Sequence, residues 1–283
     1  MTPLDRPLVI VGAARSGTSM TSRVLQRHPD VAFWMEPKYV WKVGRPLAPD
    51  DRRDASEATP AVRRYIRRSF ARYAGRAGKP RFMEKTPSNC FRVGFVHAVL
   101  PEARFLHVVR DGRAVTRSAL RMWTKTPDKR ALKRRLSNLE VPLRDAPFYA
   151  AAVLRDVVGR QLFPSKAFVW GPQFPGIREV RDEKGVVAAC AVQWRESVAA
   201  ALDGLATVPA EQQMTVRFED VMASPETVMA QILDFFELPP SAEVRDYART
   251  FVDEGNGTPY DDDLDPVEID PYLEPLLSDL GYG

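Results

Sequence analysis

The residues in this chain best suited to handling anions fall in a few short stretches. The first is Gly12-Ala13-Ala14-Arg15-Ser16-Gly17-Thr18-Ser19, directly after the apolar run Leu8–Val11. Its two glycines let backbone N–H groups turn toward a phosphate, and a helix opening near Gly17 adds its positive end. Thr18 and Ser19 add hydroxyl donors. The lysine that follows the second glycine of an ATP-binding P-loop is replaced here by Thr18, and Arg15 stands two residues before that glycine. The plainer alternative is a tight strand-to-helix turn. The second stretch is Arg110-Asp111-Gly112-Arg113, at the end of another apolar run, with Ser118 eight residues beyond Arg110. An arginine fork and a hydroxyl at that separation suit a second phosphate, although Arg110 alone equally suits a strand-end salt bridge. Glu36 follows the run VAFWM, and Glu84-Lys85 closes the run RFMEK.

Those residues need elements to position them. Leu8–Val11 and ARFLHVV read as buried strands, being continuously apolar and rich in β-branched residues, and VAFWM, RFMEK and MTVRF read as three further strands. Helical patterns separate them. GTSMTSRVLQRH ends before Pro29, a basic helix covers 56–75, and another helix lies near 89–99. DGRAVTRSALRMW follows with Asp111 as its N-cap, then GVVAACAVQWRESVAAAL, then SPETVMAQILDFF with Ser224 as cap. Strands alternating with helices imply an α/β fold with a mostly parallel central sheet and helices on both faces. Residues 1–283 read as a single domain, with a helical insertion at about 124–184. In such a sheet the carboxyl ends of the strands line one edge, where ligands bind. Arg15, Glu36, Lys85 and Arg110 each follow or end a strand, so the pattern predicts one site for a substrate with several negative charges.

Composition narrows the partners. The 41 basic and 37 acidic residues give a net charge of +4, too mild for a nucleic-acid binder, and none is expected. The two cysteines, Cys90 and Cys190, have no metal-ligand spacing and read as buried thiols, with a single disulfide left open; no metal site is expected. The acidic run DDDLD at 261–265 lacks EF-hand spacing and reads as a solvated loop, as DKRALKRR at 128–135 reads as a solvated helix face. His28, His97 and His107 read as packed or capping residues. The start of the chain does not resemble a signal peptide, and GVVAACAV is too short to span a bilayer. A cytoplasmic protein without a transmembrane segment is expected, and a homodimer is compatible with the sequence.

The two loops together resemble the sulfotransferases that use 3′-phosphoadenosine 5′-phosphosulfate (PAPS). VGAARSGTSMTSRVLQRHPDV is similar to their 5′-phosphosulfate loop, and ARFLHVVRDGRAVTRS to their 3′-phosphate motif. VRFEDVMASPETVMAQILDFFELP and the closing LGY resemble a later strand and helix and the family's end. The pattern is most like that of the tyrosylprotein sulfotransferases and their bacterial relatives. The resemblance covers 7–122 and 213–238 well and 124–190 poorly. It implies a P-loop-like three-layer fold, PAPS as co-substrate, its desulfated form PAP as product, and no metal. It implies that Arg15 sits against the oxygen bridging phosphate and sulfate, that Ser16, Gly17, Thr18 and Ser19 hold the 5′-phosphate, and that Arg110 and Ser118 hold the 3′-phosphate. It implies Glu36 as the base for an acceptor hydroxyl and Lys85 as a sulfate contact, with Glu84 as the second choice of base and a structural partner otherwise; the plainer alternative for Glu36 is a salt bridge to Arg15 or Lys38. The basic segment Arg178, Arg181 and Lys184-Gly185 is a candidate to close over the nucleotide. The acceptor is expected to be a small molecule, glycan or lipid rather than a peptide, set against 39–75 and 124–180; the aromatic residues Trp34, Tyr39, Trp41, Trp123, Trp170 and Phe174 suggest a partly apolar pocket, with core packing accounting for some of them. Two rivals stand beside this reading: a P-loop kinase or ATPase, which the missing lysine disfavours, and an inert PAPS- or nucleotide-binding protein.

Overall fold

The computed structural model describes residues 4–124, 169–253 and 264–282. Its centre is a five-stranded, fully parallel sheet in the order β2-β3-β1-β4-β5. The strands are β1 (Leu8–Val11), β2 (Val31–Met35), β3 (Arg81–Lys85), β4 (Arg104–Val109) and β5 (Gln213–Arg217). From β1 the chain moves outward to β2, returns to β3, then crosses β1 to reach β4 and β5. The order therefore reverses at β1, and the carboxyl end of β1, between those of β3 and β4, is the crevice where ligands bind in open parallel sheets.

The edge strands β2 and β5 are partly open, with Met35 and Thr215 exposed, whereas β1, β3 and β4 are buried on both faces, which is why β1 and β4 read as near-continuous apolar runs. Their two-residue alternation sends Val9, Val11, Phe82 and Phe105 to one face. Leu8, Ile10, Met83, Leu106 and Val108 go to the other. The first face is covered by α3 (Pro60–Ala77), α4 (Val93–Val99) and the last turns of α6 (Ile177–Leu205). The second is covered by α1 (Thr18–Leu25), α8 (Pro225–Phe235) and α9 (Ala242–Asp253). The three expected layers are present. Around them lie the short α2 (Lys38–Trp41), α5 (Gly112–Thr124), α7 (Phe218–Ala223), α10 (Pro266–Leu273) and α11 (Leu276–Asp279).

Three expectations are refined. The helix predicted from Gly185 does begin there: Gly185, at φ 88° and ψ 174°, is non-helical and kinks α6, so that 177–184 is a preceding helical segment the pattern did not announce. Ser224 makes no side-chain cap: it is shared between the end of α7 and the start of α8 at φ −143°, ψ 62°. Trp34 and Trp41 pack in the interior rather than on an acceptor wall. Trp34 stacks on Tyr73 at 4.6 Å, and Trp41 is fully buried against Phe70 and Phe95. Trp123 and Phe174 are buried in a smaller apolar cluster beside α5 and α6. Both cysteines are free and buried, as expected. The run 128–135 lies outside the described residues. So do Asp261, Asp262 and Asp263 of DDDLD, whose last residue, Asp265, caps α10 by accepting from Val267 N at 2.9 Å.

Candidate active site

The loop after β1 is compressed from two sides. A Cβ on Gly12 would lie 2.5 Å from the carbonyl oxygen of Val108 in β4, and one on Gly17 would lie 2.1 Å from Cδ2 of Phe218. Gly17 also has φ 89°, the left-handed region that glycine enters without penalty. Arg15 shares that region at φ 78° without being glycine. A strained residue of this kind persists only where its surroundings hold it. The Ser16 hydroxyl is buried and has no hydrogen-bond partner. An unpaired buried hydroxyl beside the uncapped start of α1, whose first N–H groups lack intrahelical acceptors, suits an anionic oxygen.

The second motif meets this loop. Arg15 Nε donates to Ser118 Oγ at 2.8 Å, and an Arg110 guanidinium nitrogen donates to the Arg15 carbonyl at 3.4 Å. The buried Arg110 lies over the Phe218 ring, 4.3 Å from its centroid. One aromatic ring thus backs both Gly17 and Arg110. The Arg110 carbonyl accepts from the Trp194 indole at 3.1 Å, and Asp111 caps α5 by accepting from Arg113 N at 2.8 Å. Asp111 N in turn donates to Glu219.

Strand alternation separates Glu84 from Lys85. Lys85 turns to the α1 side, where its buried ammonium donates to Ser19 Oγ at 3.0 Å and to Glu36 Oε1 at 2.9 Å. Glu36 follows β2 at φ 52°, and Lys38 reaches its other oxygen at 3.1 Å. Burial works against the Glu36 carboxylate, but Lys38 and Lys85 outweigh it and hold the carboxyl down at about 2. Glu84 turns to the opposite face and is fully buried, accepting from Thr86 at 2.7 Å, Asn89 at 2.6 Å and the Trp41 indole at 3.3 Å. Burial pushes its carboxyl up to about 7, against these donors and the nearby Arg92 charge. Its contacts are those of a structural partner.

Arg15, Ser16, Gly17, Thr18, Ser19, Glu36, Lys85, Arg110 and Ser118 are therefore gathered at one sheet edge through direct contacts. A sequence model described as the sulfotransferase family matches residues 7–145 and 150–242. The chain belongs to the sulfotransferase family. Nodulation protein NoeE of Sinorhizobium fredii is 25% identical over 138 residues, 44% of this chain. The match spans only 33% of that protein's length. Among solved structures, the sulfotransferase domain from the curacin biosynthetic pathway superposes over 100% of this chain and 99% of its own, with a TM-score of 0.57 at 13% identity. Sulfotransferase STF9 from Mycobacterium avium does so over 100% and 78%, with a TM-score of 0.58 at 14% identity. At these identities the structures speak for the fold, which is that of the sulfotransferases.

Several supports surround these residues in this member of the family. Phe218 lies within the stretch VRFEDVMASPET, and it is the fold that sets its ring against Gly17 and Arg110; of the two salt-bridge partners open to Glu36 in the sequence, Arg15 and Lys38, the structure pairs it with Lys38. The closing Tyr282 has a definite place: its hydroxyl donates to Glu219 at 2.9 Å and its carbonyl accepts from Arg113 at 3.0 Å. The segment expected to close over the nucleotide lies on α6, where Arg181 donates to Asp182 and the Lys184 ammonium lies 5.6 Å from the Tyr272 ring centroid. A surface pocket of about 360 Å³ lined by Thr215, Asp220, Thr227 and Gln231 contains none of the candidate residues. The histidines are structural: His28 bonds the Pro239 carbonyl, His97 bonds Gln212, and His107 is buried. Among the described residues no helix is long and apolar enough to cross a membrane, and no metal-binding cluster occurs.

Proposed function

We propose that the chain transfers the sulfuryl group of PAPS to the hydroxyl of an acceptor, with Glu36 as base. The observation that carries this reading is the Arg15–Ser118 hydrogen bond, because it brings two motifs for two phosphates into one site. The partnerless Ser16 hydroxyl, the start of α1 and Thr18 and Ser19 suit the 5′-phosphate. Arg110 and Ser118 suit the 3′-phosphate that sets this donor apart from ATP. Arg15 is placed to stabilise the negative charge that grows on the bridging oxygen as the sulfur–oxygen bond to phosphate breaks. The acceptor oxygen forms the new bond to sulfur, its proton passes to Glu36, and PAP leaves. Lys85 touches both Ser19 and Glu36, so it stands between donor and base. An anionic donor beside Lys85 shares that charge and raises the proton affinity of Glu36, bringing it nearer the range of a useful base.

The acceptor side begins at Met35, which is half-exposed next to Glu36 and offers an apolar lip. A small molecule, glycan or lipid fits that lip. The test is calorimetric titration of PAP, adenosine 5′-phosphate and ATP without magnesium into wild type and Arg110→Ala. Binding that requires the 3′-phosphate and falls at least tenfold in the variant is expected. Preference for magnesium-ATP would return the loop to the kinases.

A further inference from the structure

Helix α3, Pro60–Ala77, carries six arginines and no acidic residue. Without them the chain has 35 basic and 37 acidic residues, so its whole positive excess sits on this one helix. Ile66, Phe70 and Ala74 face the core. On the opposite side Arg64, Arg68, Arg72 and Arg76 follow one another at four-residue intervals. Arg63 donates to the Ala58 carbonyl, Arg67 is held by Glu102, and Arg76 has a contact of its own. Arg64, Arg68 and Arg72 are exposed, and among the described residues none of the three pairs with a carboxylate. Like charges at this interval weaken a helix, and Arg63 in its first turn opposes the helix dipole. The row thus costs the helix local stability.

We propose that this row is a docking surface for an acidic helix of a partner protein, one with carboxylates at four-residue intervals. The charge complementarity is geometric as well as electrostatic. Four residues of α-helix rise about 6 Å, so a partner helix with the same interval meets the arginines in register over about 18 Å. A membrane surface fits less well: the large apolar side chains of α3 are turned inward, and the exposed neighbours Ala61, Gly75 and Ala77 offer nothing to insert. Nucleic acid fits less well because the rest of the chain is net acidic and would repel it.

The test measures binding alone and is independent of the donor and the reaction. Two labelled, stapled alanine-based peptides are compared by fluorescence anisotropy. One carries four glutamates at four-residue intervals, and the other carries the same four distributed around the helix. The protein is wild type or the combined Arg64→Glu, Arg68→Glu, Arg72→Glu variant, with the corresponding glutamine variant as a milder form. Thermal melting checks that each is folded. In-register peptide is expected to bind wild type at least tenfold tighter than the redistributed one, to weaken with salt, and to lose at least tenfold in both variants. Equal affinity for the two peptides, no measurable binding, or binding unchanged in the variants overturns the proposal. So does a wild-type preference for phosphatidylserine vesicles or a DNA duplex over the in-register peptide.

Discussion

Glu36 and Glu84 show how strand position sets the role of a carboxylate. Glu84 is enclosed by Thr86, Asn89 and Trp41, while Glu36 sits at the open end of β2 with one lysine on each oxygen. Glu36→Gln keeps the shape and removes the proton acceptor. A fall in kcat on the order of 10²–10⁴ is expected, with PAP affinity held within about twofold by calorimetry; unchanged turnover would remove Glu36 as base. The lysine pair also sets a pH dependence. A depressed carboxylate favours the folded state above its ordinary pKa of 4.5, and that contribution is lost as pH falls toward about 2. Lys38→Met removes one of the two charges, so the acid limb of the pH–rate profile is expected to move to higher pH. A limb that stays in place would mean that Lys38 does not act on the base. The site residue Glu36 was legible through its position after VAFWM. Its Lys38 contact was legible only as one of two possible salt bridges, Arg15 being the other, because the left-handed turn at Glu36 decides which partner it meets.

At the level of elements, the five strands and the site loop were legible because each strand has a short apolar or β-branched core, continuous in β1 and β4, and ends at a glycine or a charge. The helix boundaries were less so. The polar stretch 178–184 has no apolar stripe to announce a helix, whereas the break at Gly185, where the following helix begins, was legible from the glycine and the apolar run after it. Ser224 has the right residue type for a cap, but two adjoining helices compete for it. The loop itself depends on contacts no local pattern contains. Gly17 must be glycine both for its φ of 89° and because Phe218 occupies the space of a side chain. Gly17→Ala is therefore expected to cost about 1–3 kcal/mol in backbone strain and to displace Phe218 from beneath Arg110. The measurable consequence is a loss of PAP affinity out of proportion to the fall in melting temperature. Phe218→Leu, which relieves the clash, would restore part of the affinity to the alanine variant. If the double variant binds no better than Gly17→Ala alone, the shared ring is not what links the two phosphate motifs.

For the whole molecule, the face of the sheet that carries Glu84 also carries His107, and the two have opposite effects on stability as pH changes. Burial pushes His107 down to about 4 from 6.5, so its unfolded form binds more protons in between, and stability is lost as pH falls through that window. Burial raises Glu84 from 4.5 to about 7, so the folded form binds more protons there, and stability is lost as pH rises. Each slope approaches about 1.4 kcal/mol per pH unit where one proton is at stake. Their windows overlap between 4.5 and 6.5, and over that range they offset each other. Wild type is expected to keep a nearly level melting temperature there. Glu84→Gln removes the falling component, so its melting temperature climbs with pH. His107→Leu removes the rising one, so its melting temperature declines. The double variant is expected to be level again at a lower value, because the two groups titrate independently. Four parallel profiles would mean that neither group changes its proton affinity on folding. A slope in only one single variant would identify which of the two buried groups is neutralised by its surroundings.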